Sequence, residues 1–540
     1  MGVRVHRAGK EVRHKERRAG RILSVFKSVV LLILVAGTVY GVIREGLYDD
    51  NLWLPVATGT LALLFVTLFI KNFFAEMPGS CWLMVAFLAV LVAVKGLSMA
   101  WTVSEAETIQ ELLRSSMYLA VFVLALAALS SERQVAPLMD AAVLIASIVA
   151  GYGLLQKLRP VDYPVSSLDG VRVESTIDYV NTTAMVLGMG VVLALARIAS
   201  MRNPLIRGLY AALVLACVVV LYLTASRGGI VSLGLGVVVL LALDKDRLQS
   251  LANILLLFVP AAGLIWRMQS LGGLLEAGAS EQEKLSDGVT FGGYLIVALI
   301  VAFVLQAVYA FLMGRYELTL LSRRFLAALA VGVTVLVVVA GIFLTVNRYG
   351  GVGKAYETLV NNPANTENAG QRLTSLSLGF REDYWKVAWA SWKQNPLTGT
   401  GAGTFQFTWL KERTSDSGVK QVHNLYLEQG TETGVVAFLA LIGFSGLLVG
   451  YTVRATLRSG VTGDRRVLLA GLVSCLVVYL VSSVIEWHWY IPASTLYFFV
   501  LAAVAAKLAA SPGWLTSKER AAGLARTTSG GQPLAESPTG

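Results

Sequence analysis

Long apolar runs separated by short polar breaks dominate the chain. A helix needs roughly 20 apolar residues to cross a hydrocarbon layer. On that measure the runs predict helices near 22–43, 52–70, 81–100, 115–130, 137–155, 182–199, 206–223, 228–243, 250–267, 289–313, 325–345, 434–453, 467–485 and 489–508. The expected fold is all-α, a polytopic membrane protein of about 14 transmembrane helices, with 12–14 as the range. The polar breaks then divide the chain. A basic cytoplasmic tail occupies 1–21, N-terminal membrane helices 22–345, one large extracytoplasmic loop 346–433, C-terminal membrane helices 434–510 and a disordered cytoplasmic tail 511–540. Polar loops as long as 346–433 are uncommon in compact proteins and are usually functional or disordered.

Composition agrees with this division. Of 540 residues, 56% are hydrophobic and 15% charged, and the mean hydropathy is +0.66. Soluble domains carry about 25% charged residues. The net charge of +11 gathers in the first 21 residues, which hold eight Lys/Arg, and in certain loops. That distribution fits membrane orientation, and without a basic soluble domain it excludes nucleic-acid binding. With the tail inside, the short inner loops hold fourteen Lys/Arg and the short outer loops eight. The bias supports both ends inside and the 346–433 loop outside. The first apolar run is longer than a signal-peptide core and no A-x-A site follows it, so it reads as a retained anchor. Cys81, Cys217 and Cys475 lie far apart in or beside apolar runs and read as small buried hydrophobes.

The loop changes character along its length. Its first part, NRYGGVGKAYETLVNNPANTENAG, has turn chemistry and no evident core. From Arg381 to Gln394 the pattern is helical, with Arg381, Trp385, Trp389 and Trp392 on one face. Such a stripe suits either the headgroup layer or packing onto the outer ends of the spans. Asn395–Pro396 ends the helix. The GTGAG run at 399–403 follows no strand, so it predicts a tight turn tucking Phe405 and Phe407 back, or free N–H groups able to hold an anion. Then comes QVHNLYLEQGTETG. His423 is one of four histidines, and His6 and His14 belong to the tail. An imidazole here could move protons near neutral pH or simply hydrogen-bond backbone.

Other polar residues join that outer face. Arg227 stands at the turn LTASRGGIVS, suited to phosphate or to a lipid headgroup. The loop 157–181 supplies Arg172 and Asn181. EWHWYIP brings Glu486 and His488 there too, and its tryptophans favour an interfacial-belt reading. Lys95, near the outer end of its span, could line a cavity or snorkel, and the snorkelling reading is favoured.

Three segments in sequence order, SRGG, FREDYWKVAWASWKQNPLTGTGAGTFQF and HNLYLEQGTETG, resemble the O-antigen ligase and O-antigen polymerase superfamily of bacterial membrane proteins. The matching elements are the SRG turn, an R-x-x-x-W helix, a P-L-x-G-x-G-x-x-x-F turn and H-N-x-Y-L-x-x-x-x-E-x-G, spread over residues 224–434. ESTIDYVNTTA at 174–184 is a weaker match. The resemblance implies a GT-C-like glycosyltransferase in the cytoplasmic membrane, its large outer loop roofing the site. It implies a glycan donor on undecaprenyl diphosphate, a glycan or lipid-linked acceptor, and neither metal nor nucleotide sugar. His423 would be the catalytic residue, and Arg227 and Arg381 would bind diphosphate. Arg172, Asn181, Trp385, Asn424, Tyr426 and Glu432 would be further donor or acceptor contacts. Family members commonly have about a dozen spans, and the acidic stretch 268–287 matches no shared motif. The alternative is a transporter or flippase of lipid-linked oligosaccharides, which calls for polar residues at mid-membrane depth.

Overall fold

A backbone inside hydrocarbon must satisfy its N–H and C=O groups within its own segment, so the apolar runs can only be helices. The computed structural model describes residues 2–167, 170–313, 347–348, 350–361, 368, 372–373, 377–413, 418–458, 461 and 463–511. In chain order the first helices are α1 (Gly2–Ile43), α2 (Asp50–Leu68), α3 (Gly79–Leu97), α4 (Glu105–Ala128), α5 (Val135–Leu158) and α6 (Val180–Ser200). Next come α7 (Pro204–Leu223), α8 (Arg227–Leu243), α9 (Arg247–Met268), the single turn α10 (Gly272–Leu275) and α11 (Glu281–Met313). The polar segment carries α12 (Val352–Asn361), α13 (Arg381–Gln394) and α14 (Phe405–Glu412). The last three are α15 (Leu425–Leu457), α16 (Gly463–Ser482) and α17 (Pro492–Ala510). The described residues form no strand.

Twelve of these helices are long and apolar enough to cross a membrane, and the protein is an all-α, multi-pass membrane protein. The predicted run at 228–243 is also helical, though α8 has only 17 residues. The predicted span 325–345 and the C-terminal tail beyond Ser511 lie outside the described residues. α6 and α17 are almost wholly enclosed. α16 packs on α6 and α8, α6 on α5 and α7, α4 on α17 and α3 on α15. α1, α2, α9 and α11 face outward with large apolar side chains, including Phe65, Trp266 and Val289. An apolar belt of that kind suits lipid, not water. The three cysteines are free and buried.

Three expectations need revision. Residues 352–361, read as turn chemistry, form α12. α4 begins at Glu105, so Arg114, counted above in an outer loop, lies inside a helix and is buried. Lys95 does not snorkel: it is fully buried, and its Nζ lies 2.9 Å from Glu111 Oε2 while Arg114 pairs with the other carboxylate oxygen. The sequence could not reveal this, because Glu111 and Arg114 belong to a different helix from Lys95.

Candidate functional site

The Ile485–Tyr490 turn joins α16 to α17, at the end of the bundle where α13 and α14 pack. Glu486 is buried there and forms a hub. One carboxylate oxygen takes an ion pair from Arg381 Nη2. The other accepts the Tyr179 hydroxyl at 2.8 Å and faces His423 Nδ1 at 3.7 Å. Arg381 also donates to the carbonyls of Ile485 (2.8 Å) and Leu378 (3.2 Å). The turn and the first residue of α13 are thus tied by both side chain and backbone.

The hub extends toward α6. Asn181 donates to the Tyr179 oxygen at 3.2 Å, and Trp487 Nε1 donates to it at 2.8 Å. Arg172 Nη2 donates to Asn181 Oδ1 at 3.1 Å, and its Nε to the Thr224 carbonyl at 2.8 Å. Thr224 begins the turn whose Ser226 caps α8, Arg227 being the first residue of that helix. The next residue, Gly228, abuts Ile485: a Cβ there would lie 2.5 Å from Ile485 Cδ1. The turn of Arg227 therefore adjoins the residue that Arg381 holds.

His423 is held by its backbone. Its φ of 57° is left-handed, a conformation costing a residue with a Cβ about 1 kcal/mol or more. Asn424 compensates by capping α15, its Oδ1 accepting from Tyr426 N (3.1 Å) and Leu427 N (3.0 Å). Leu425 N donates to Ser483 O at 2.9 Å, which docks the helix start onto α16. The imidazole lies between the rings of Tyr384 and Trp487, 5.6 and 6.0 Å away. Neither of its nitrogens makes a hydrogen bond among the described residues. His488 differs: both its ring nitrogens are bonded, to Thr182 at 2.8 Å and to Ser482 at 2.7 Å.

The charges follow from this geometry. Burial alone would raise the Glu486 carboxyl, but Arg381 and then His423 outweigh it and hold it well below the usual carboxylate range. Burial would likewise lower the Arg381 guanidinium, and Glu486 reverses that. Burial pushes His423 below its ordinary value against the pull of Glu486, so it is a neutral imidazole at neutral pH. Burial brings His488 down to about 4. Burial, and then the charge of Glu486, pushes the Tyr179 phenol up, which keeps it a donor.

The remaining predicted residues divide. Arg172 and Asn181 belong to the Glu486 network. The side chains of Asn424, Tyr426 and Glu432 are engaged by the chain itself. Tyr426 donates to Leu480 O at 3.0 Å. Glu432 accepts from Gly403 N at 2.8 Å and Phe405 N at 3.0 Å, so the group held over the glycine-rich turn is the chain's own carboxyl. The turn also repairs a break in α15. At Gly434 the helix kinks (φ 73°), and a Cβ would lie 2.0 Å from Leu397 O. Val435 N donates to Pro396 O, Gly401 N to Glu432 O and Thr400 N to Thr431 O, at 2.9, 2.8 and 3.3 Å. A kinked helix needs such partners for its freed backbone groups. Phe405 is fully buried as expected, whereas Phe407 is exposed.

The buried face of α13 is Tyr384, Val387, Ala388 and Ser391, rotated from the predicted stripe. Trp389 is exposed, Trp392 packs against Gly430 and Phe438, and Trp385 is partly buried with its Nε1 unbonded among the described residues. Glu486 and Tyr179 were missed as site residues. Both were in view, one in EWHWYIP and one in ESTIDYVNTTA, but an aromatic setting hid the carboxylate and only tertiary contact pairs it with Arg381.

The O-antigen ligase family profile matches residues 286–442. That stretch contains Arg381, the 396–405 turn and His423. Arg172, Asn181 and Arg227 precede it and Glu486 follows it, so the match does not cover the whole hub. No curated protein matches the chain. Residues 286–442 are an O-antigen ligase family domain within a multi-pass membrane protein.

Proposed function

We propose that the protein is a glycosyltransferase of the cytoplasmic membrane that moves a glycan from undecaprenyl diphosphate to a glycan or lipid-linked acceptor on the outer face. The observation that carries this reading is the Glu486 hub. It holds a neutral histidine and a permanently charged guanidinium within one small region, beside the turn of Arg227.

In the proposed reaction the donor's lipid stays in the bilayer and its diphosphate meets Arg381 and Arg227. The bond between the anomeric carbon and the phosphate oxygen breaks with its electron pair on the diphosphate, where guanidinium groups stabilise the added charge. The acceptor hydroxyl forms the new bond to that carbon from the opposite face, inverting it. Its proton passes to His423 Nε2, because Nδ1 faces Glu486. Glu486 orients the ring and stabilises the imidazolium formed. The present 3.7 Å separation is of the kind that tightens on substrate binding. Arg172 and Asn181 support Tyr179 and so act on the reaction through Glu486.

The decisive experiment gives the purified protein a glycan on a polyprenyl diphosphate and analyses the product. A lengthened lipid-linked chain identifies a polymerase, and transfer to another acceptor a ligase. Release of the sugar to water alone overturns both.

A further inference from the structure

A second polar recess opens at the same end of the bundle, on the far side of Trp487. It is a cavity of about 480 Å³ between the starts of α2 and α4, Gly403 and Gln406, Lys420 and Gln421, and Tyr490. Its wall is amides, carboxylates and phenol rings. Gln110, Gln406 and Gln421 contribute amides, Asp49, Asp50 and Glu107 carboxylates, and Tyr48 a partly exposed ring. Lys420 and Arg114 are the lining cations. Arg114 is already neutralised by Glu111 and sandwiched between the Trp53 and Tyr490 rings, 4.8 and 5.1 Å from their centres. The cavity therefore leans negative.

Tyr490 lines the cavity and its ring also stacks on Arg114, while its hydroxyl is buried behind the wall near the fully buried Glu428. The described residues present no group of His, Cys, Asp or Glu arranged to hold a metal ion. Amides and carboxylates that can each bond two neighbouring hydroxyls, set beside aromatic faces, suit a sugar ring.

We propose that this cavity is a sugar subsite that takes one neutral or amino-bearing ring and disfavours anionic sugars. It rests on the glycosyltransferase reading for its role, which is to hold the acceptor glycan. The path is short: the Tyr48 ring packs on Trp487 at 5.6 Å, and Trp487 packs on His423 at 6.0 Å. A glycan anchored in the cavity approaches His423 along that aromatic wall.

The test is direct binding, independent of transfer. The full-length protein in lipid nanodiscs is titrated with methyl glucosaminide, methyl N-acetylglucosaminide and methyl glucuronide, read by ligand-observed NMR. The first two should bind, with the glucuronide about tenfold weaker or worse. Glu107→Gln should weaken the glucosaminide about tenfold, the scale of one charge-assisted hydrogen bond, and Gln406→Ala should weaken both binders. His423→Ala should leave binding unchanged. Should Glu107→Gln fail to fold, Gln406→Ala and Gln421→Ala carry the test. Equal affinity for the glucuronide, affinities untouched by the cavity variants, or no binding of any of the three overturns the subsite. A subsite that fails while His423→Ala still abolishes transfer leaves the catalytic reading standing. Normal transfer by His423→Ala sinks the catalytic reading and leaves the binding result intact.

Discussion

Two buried glutamates at one end of this bundle do opposite work. Glu432 is surrounded by backbone: the N–H groups of Gly403 and Phe405 donate to it, and its own carbonyl accepts from Gly401. Glu486 is surrounded by side chains: Arg381, Tyr179 and His423. Backbone donors cannot leave without unfolding the turn, so Glu432 is a latch that closes the glycine-rich segment over the kink in α15. Side-chain donors can turn toward a substrate, so Glu486 organises groups that remain able to react. The chemistry of a buried carboxylate is thus set by whether its partners can move.

The largest expected effect breaks the comparison on the Glu486 side. His423→Ala should lower transfer by about 10²–10⁴-fold, the usual contribution of a general base, while leaving the melting temperature near the parent value. Full activity in that variant would reduce the histidine to a packing residue. Arg381→Ala should abolish transfer and also destabilise the fold by about 3 kcal/mol, because it leaves Glu486 buried and unpaired. Thermal unfolding in detergent separates the two losses. A melting point that does not move would mean that water already shields Glu486.

The latch should respond in the reverse way. Gly434→Ala forces a Cβ against Leu397 O at a left-handed position, and about 1–3 kcal/mol of stability should disappear. Glu432→Gln replaces one acceptor oxygen with an N–H₂ group facing backbone N–H, for a loss of similar size. In both variants the folded fraction should transfer at close to the parent rate. A rate loss well beyond the loss of folded protein would show that the latch also touches substrate.

The smallest effect is in the pH profile. His423 is lowered by burial, so the neutral base persists below the ordinary histidine value, and transfer should fall only as pH drops through that lowered value. Glu486 holds the imidazolium up, so Glu486→Gln should move the acid limb of the rate profile to still lower pH. An acid limb that stays in place would uncouple the two residues.

Much of the site was legible in order but not in partnership. SRGG, the α13 helix, the 396–405 turn and HNLYLEQGTETG each marked a segment at one end of the bundle. What they could not convey was which side chains meet. The Trp385–Trp389–Trp392 stripe suited either the headgroup layer or packing on the spans; Tyr384, Val387 and Ala388 form the buried face instead, with Trp389 exposed and Trp392 packed on Phe438. A short helix lying across a bundle is turned by what lies beneath it, and helical spacing alone does not know that surface. Glu111 lies more than 300 residues before Glu428 and Glu432, yet folding buries all three near one another.

The sequence by itself determined that the protein is a helical membrane protein, because hydrocarbon admits only segments that satisfy their own backbone, and apolar length records that requirement directly. It also fixed the order of the polar motifs and the residue types they offer. The tertiary structure alone decided that Glu486 is the hub, that His488 is locked while His423 is not, and that the glycine-rich turn binds the chain's own Glu432. Each of these depends on contacts between residues far apart in the chain, and a buried charge acquires its role only from the groups packed around it.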